Sequence, residues 1–553
     1  MMRTLGLAAV GIALGLTGCR GDASSNGDGA DSTEGTATGT SEGASADSTE
    51  TGAEVPDDAS IARIGLRRIN RYEFDNIVRD LLQDDSRPAA QLLPEDLRTP
   101  FDNDYTMQLA TQPLVDGIEV LARQVAGDLV DDADRRATVV GCTPSGVDDD
   151  VCMRAFVGHF GRLALRRPLA DAEVEDYVAL GLDFAGQADD FWVGVEVVVT
   201  ALLQDTEMVY RVELGTPVAD APGVFALGPY ELASRMSFFL WGSTPDDALL
   251  DAAGAGSLDD ADGVRELATS MLADPRARAH IDRFHALWLG YSELPHPQAL
   301  TSAMRRESAA LVERVVFDEQ RPWLELFDAN ESFIDDTLAE LYGMSAPQGG
   351  PGWVPYGDNG RMGLLSHGAF LSVAANVADT SPTRRGKFIR EQLMCQIIPP
   401  PPPDVDADNP PDPASGDCKV DQYRAHASGS CAQCHEQMDP IGFGLENYDK
   451  TGRYRTHDDG KPECVIEGDG ELTGIGEFSG PGELASLLLG ADVLDACVTQ
   501  QLYRYAIGRE VEPEDQDFVD AVAVSFADAD HRFDELLLAL VSNPAFGYRR
   551  EEG

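Results

Sequence analysis

Apolar residues return every three or four positions through most of this chain, a spacing that gathers them on one face of a helix and leaves strand-like alternation scarce. In INRYEFDNIVRDLLQD, Asn70 stands as a helix cap with Glu73 at the reciprocal capping-box position, and Phe74, Ile77, Val78 and Leu81 share one face. GPYELASRMSFFLWGSTPDDALLDAA reads as a helix interrupted at Gly242-Ser243 and restarted with Thr244 as cap and Pro245 at the first helical position. Further amphipathic runs cover 263–289, 309–327, 482–509 and 516–542. FWVGVEVVVTALL, Phe191 to Leu203, is too short to span a bilayer and carries Glu196, so it is read as a buried helix.

One segment resists helix. Pro399 to Pro403 form an unbroken row, followed by more Pro and Asp, which favours extended polyproline backbone. The expected fold is therefore mainly α: several small helical domains in series, with a C-terminal CxxCH region. The expected divisions are 59–135, 136–215, 222–350, a Pro-rich and CxxCH region at 351–460, and a C-terminal helical domain at 461–553. No fixed-period repeat argues for a solenoid.

Ahead of these, residues 1–18 read as a signal peptide: Arg3 is its basic region, Leu5 to Leu16 its apolar run, and Leu16-Thr17-Gly18-Cys19 a small-residue processing site. The tetrapeptide resembles a bacterial lipobox, which makes Cys19 the lipidated first residue of the mature chain and gives it a multiply acylated anchor. Residues 19–58 are almost wholly Gly, Ser, Thr, Ala, Asp and Glu, too poor in apolar surface to offset chain entropy, and are read as a disordered tether. The expected location is extracytoplasmic, on a bacterial membrane through that lipid, at the outer membrane or cell surface.

Charge narrows the partners. With 96 Asp and Glu against 42 Lys and Arg the net charge is −54, so a phosphate backbone is repelled unless a local basic patch intervenes. Only short clusters exist, Arg67-Arg68 and Arg384-Arg385-Gly386-Lys387, and nucleic-acid binding is not expected.

The nine cysteines divide by position. Cys19 belongs to the lipobox and Cys431 and Cys434 to the word CAQCH, leaving six, an even number that suggests disulfides in an exported protein. Cys142 with Cys152 closes a short loop worth roughly 3 kcal/mol in the chain-entropy model. Cys395, Cys418, Cys464 and Cys497 allow three pairings, among which the sequence does not choose.

Cys431-Ala432-Gln433-Cys434-His435 has the spacing of c-type haem attachment: two thiols on one side of one turn to bond the porphyrin, then a His to reach the iron. Zinc is the alternative cofactor, needing a second ligand pair from Cys418, His426, Cys464 and His457. A redox or structural disulfide between the two cysteines is a third reading. Met438 is the only methionine after His435, and it shares the proximal side. For a distal iron ligand the candidates are His426, His457, His367 and Met394. Hydrolase signatures are lacking: there is no GxSxG, HEQMD falls short of HExxH, and Ser366 beside His367 does not by itself make a triad.

The ordered words RIGLRRINRYEFDNIVRDLL, FVGHFGRLALRRPLADAEV, YELASRMSFFLWGSTPDDALL, the stretch through SPTRRGKFIREQLMCQIIPPPPP, CAQCHEQMDPIGFGLENYDKTGRYR and QLYRYAIGREVEPEDQDFV resemble the multi-domain cassette proteins of planctomycetes and myxobacteria, consecutive domains of unknown function associated with planctomycete cytochrome c. The resemblance runs from about Ile61 to Arg549. It implies Cys431 and Cys434 as covalent haem attachments and His435 as axial ligand, with no activity attached. The expectation is an exported, lipid-anchored haem protein of redox role, its helical body docking a redox protein or exported enzyme. The alternative is a surface scaffold whose CAQCH turn is a zinc or disulfide corner.

Overall fold

The structure, a computed structural model, describes residues 61–219, 221–357, 360–375, 379–399, 418–423 and 431–551. Cys19, the signal peptide, the tether, Pro400 to Pro403 and His426 lie outside the described residues. Those described are mainly helical, with 23 α-helices and short antiparallel sheets of two or three strands. None of these helices is long and apolar enough to cross a membrane.

Local chemistry sets the helix ends. Arg71–Leu82 begins at Asn70, whose side chain accepts from Glu73 N while the Glu73 carboxylate accepts from Asn70 N, and its Phe74, Ile77, Val78 and Leu81 are buried. Phe191–Leu203 is a helix capped by Asp190, buried along Phe191, Val195, Val198, Val199 and Leu202. The restart after Gly242 differs from expectation. Asp246, not Thr244, caps Asp247–Gly254 by accepting from Leu249 N, because the helix starts two residues later than expected; the Thr244 hydroxyl donates to the Leu163 carbonyl at 2.8 Å. The run at 263–289 is two helices, Ala261–Leu272 and Pro275–Trp288, parted where Asp274 caps the second and Pro275 takes its first position.

Two apolar cores result. The first joins residues between Ile69 and Met208, and Phe238 adds to it from the next segment. The Cys142–Cys152 disulfide closes the loop that enters Asp150–Leu165. The second runs from Val224 to Phe546, with Trp288 and Trp323 stacked at its centre, and it also takes in Ile61, Ala62, Ile64 and Phe101. Both ends of the described chain are stitched into it: Tyr548–Arg550 pairs with Val224–Ala226, and Arg63 bridges to Arg550.

The Arg67-Arg68 cluster is structural. Arg67 pairs with Glu213 at 2.7 Å and Arg68 with Asp96 at 2.6 Å, all four with buried side chains. A guanidinium taken out of water persists only where carboxylates and carbonyls meet it, and Arg67 also donates to the Ala506 carbonyl. These contacts tie strand Arg67–Arg68 to its partner segment and to the C-terminal helix Leu494–Ile507.

Candidate functional site

The CAQCH word opens the helix Ala432–Phe443, with Cys431 at its N-cap and His435 N donating to the Cys431 carbonyl at 3.1 Å. At 100° per residue, Cys431, Cys434 and His435 fall on one side of the first turn, and all three are half-buried. Pro440 sits inside the helix and cannot donate to the carbonyl four residues back. That carbonyl, of Glu436, accepts from the Thr473 hydroxyl at 3.3 Å instead.

A second helix, Pro382–Phe388, carries SPTRRGKF across it. A Cβ on Gly386 would fall on the Met438 carbonyl, and one on Gly442 on the Pro382 carbonyl, both well inside the 3.0 Å that real Cβ atoms keep. The two glycines thus let the backbones touch. Arg385, fully enclosed, locks the crossing by donating to the carbonyls of Leu371, Leu445, Tyr448 and Asp449 and pairing with Glu446 at 3.3 Å. Glu446, in GLENYD, also pairs with Lys419 at 3.0 Å and Arg455 at 2.8 Å. The SPTRRGKF and GLENYD words therefore hold the CAQCH helix.

Asp439, one turn beyond His435, is buried. Its carboxylate lies 3.0 and 3.1 Å from His435 Nδ1, and the Thr383 hydroxyl donates to it at 2.6 Å. The stretch CAQCHEQMDPIGF by itself assigns Asp439 no role. The i, i+4 spacing from His435 was the available signal.

The cysteines sort by bonding. Cys395 pairs with Cys497, and Cys418 with Cys464, which selects one of the three arrangements. Cys431 and Cys434 alone are unbonded among the described cysteines. Asp458 lies close to the Cys418–Cys464 sulfurs, but sulfurs bonded to each other are not thiolate ligands, so the zinc set loses two of its four donors. A cavity of about 310 Å³ beside this disulfide is lined by Val420, Pro440, Phe443 and Val465, and none of the three CAQCH ligand side chains lines it.

The distal candidates scatter. His457 is exposed, with Nδ1 2.9 Å from the Thr456 hydroxyl. Met394 packs in the second core. His367 is fully enclosed, its Nδ1 3.0 Å from Ser308 Oγ and its Nε2 4.0 Å from Glu307, and burial depresses it to about 3. Ser366 points elsewhere, bonding the Met362 backbone. Glu307, Ser308 and His367 have the makings of a nucleophile, base and acid, yet all have 0 % exposure and a substrate cannot reach them. They form a polar core network with Ser332 and Tyr342, both donating to Glu307 at 2.6 Å.

The donor set would suit haem on chemical grounds: two unbonded thiols three residues apart, and an imidazole whose Nδ1 is engaged by a carboxylate, which would leave Nε2 to meet an iron. The molecule is a mainly helical, disulfide-bonded, cytochrome-related protein with one CxxCH helix. Five family models, each described as a protein of unknown function, match consecutive segments: DUF1587 at 67–131, DUF1595 at 152–213, DUF1592 at 227–344, DUF1588 at 361–458 and DUF1585 at 476–546. The chain belongs to the multi-domain cassette of planctomycete type, built from these planctomycete cytochrome c-associated families. The CAQCH helix and Asp439 fall in the DUF1588 segment. No curated protein and no solved structure matches the chain.

Proposed function

We propose that this chain is an exported, lipid-anchored c-type haem-binding protein with an electron-transfer or redox-accessory role. Cys431 and Cys434 are the covalent attachment points and His435 the axial ligand. One observation carries this reading: six described cysteines are closed in disulfides, while the two that flank Ala432-Gln433 stay unbonded on one turn next to a histidine. Three disulfides also favour an oxidising compartment outside the cytoplasm, where the lipobox at Cys19 would send the chain. When bound, haem supplies a one-electron couple at its iron. The protein holds the attachment helix rigid through the Gly386 and Gly442 crossing and the Arg385 lock, so that sulfurs and imidazole keep their register.

The test is expression in cells equipped for cytochrome c maturation. The expected product has a Soret band that stays with the polypeptide after denaturation. Cys434→Ser should leave a single thioether, and His435→Ala should alter the iron spectrum. A colourless protein overturns the reading, and bound zinc with no haem on elemental analysis would replace it with a metal corner.

A further inference from the structure

Resting on the haem reading, the geometry points to Asp439 as the positioning residue that sets the redox poise of the site. We propose that its carboxylate accepts the Nδ1 proton of His435, makes the imidazole a more anionic donor, and biases bound haem toward the ferric state.

Three observations carry this. First, both Asp439 oxygens lie within 3.1 Å of His435 Nδ1, a contact that fixes the ring's tautomer and presents Nε2 as ligand. Second, Asp439 is 7 % exposed, and no Lys or Arg among the described residues pairs with it, so little besides His435 and one hydroxyl meets its charge. A hydrogen bond to a charged carboxylate is shorter and stronger than one between neutral groups, the more so away from bulk water. Third, it is held. Thr383 donates to Oδ1 at 2.6 Å from a helix that Gly386 and Arg385 clamp to the CAQCH helix, so the carboxylate cannot swing away. A ligand histidine that donates its other N–H to a carboxylate is the more basic ligand. A more electron-rich donor stabilises Fe(III) over Fe(II), and the couple moves to lower potential. One electron enters or leaves the iron while the shared proton stays between His435 and Asp439.

The experiment uses the full-length haem-loaded protein and Asp439→Asn, which keeps the shape and removes the charge. Covalent haem content, read as the pyridine haemochrome, should stay the same. At fixed potential the reduced-to-oxidised ratio should rise at least tenfold, about 59 mV for a one-electron couple. The ferrous Fe–His stretching frequency should fall, a signature that general loosening of the fold does not give in step with the potential. Unchanged potential and stretching frequency in a normally loaded variant overturn the inference and leave the haem reading standing. A wild-type protein without haem overturns both. Should Asp439→Asn fail to fold, Thr383→Val decides: without the hydroxyl that holds it, the carboxylate is released from His435, so the potential should rise, and an unmoved or lowered potential refutes the role.

Discussion

Glu307 offers a pH test with a sign and a size. It lies in the second core with 0 % exposure, takes hydrogen bonds from Ser332 and Tyr342, and is pushed by burial from 4.5 up to about 7. Because the folded state keeps this proton to a higher pH than the unfolded chain does, the native protein is favoured below 4.5 and loses stability as pH climbs toward 7. At ~1.36 kcal/mol per unit over roughly 2.5 units, the loss is about 3 kcal/mol by pH 8. Glu307→Gln keeps the shape and cannot ionise, at a pH-independent cost of about 1 kcal/mol for imperfect hydrogen bonding. His280, His285 and His367, depressed by burial to about 3, 4 and 3, destabilise both proteins as pH falls below 6.5. Asp282, raised by burial to about 6, acts on both as well. All four cancel in the difference between variant and wild type. Denaturant unfolding at steps from pH 4.5 to 8, read from the buried Trp288 and Trp323, should show the variant gaining about 3 kcal/mol on the wild type across that range. A difference that stays flat with pH refutes the claim that a buried, ionising Glu307 is present.

Gly386→Ala puts a methyl group into the Met438 carbonyl and should cost about 1–3 kcal/mol or more, with a lower yield of covalently loaded protein, both read on purified material. Replacing Cys395 and Cys497 together by Ser releases a 102-residue closure and should cost about 5 kcal/mol in the chain-entropy model, read as a lower denaturation midpoint. Doing the same to Cys142 and Cys152, ten residues apart, should cost about 3 kcal/mol, and equal losses at the two sites would contradict the loop-length account.

Where information was local, the sequence was readable. Asn70 and Glu73 cap one another three residues apart, and Phe191 to Leu203 is both an apolar run and a helix with those bounds. Thr244 shows where this stops. It is an acceptable cap by residue type, but it is docked on the Leu163 carbonyl, 81 positions away in sequence, and the helix begins only at Asp247 with Asp246 as its cap. Arg67 and Arg68 look like surface charge in a string of letters and are buried ion pairs in space. Ser366 and His367 are neighbours in sequence, yet the hydroxyl that meets His367 belongs to Ser308.

By itself the sequence determined the helical class, the order of the cassette and the CAQCH word, because periodicity, caps and thiol spacing act within one or two turns. Tertiary structure alone decided how Cys395, Cys418, Cys464 and Cys497 pair, that Cys431 and Cys434 are left open, and that Asp439 stands between His435 and Thr383. The last of these depends on two helices crossing where Gly386 meets Met438 and Gly442 meets Pro382, residues 52 and 60 positions apart. Such long-range proximity comes from burying apolar surface and pairing buried charge, which no short stretch of the chain encodes.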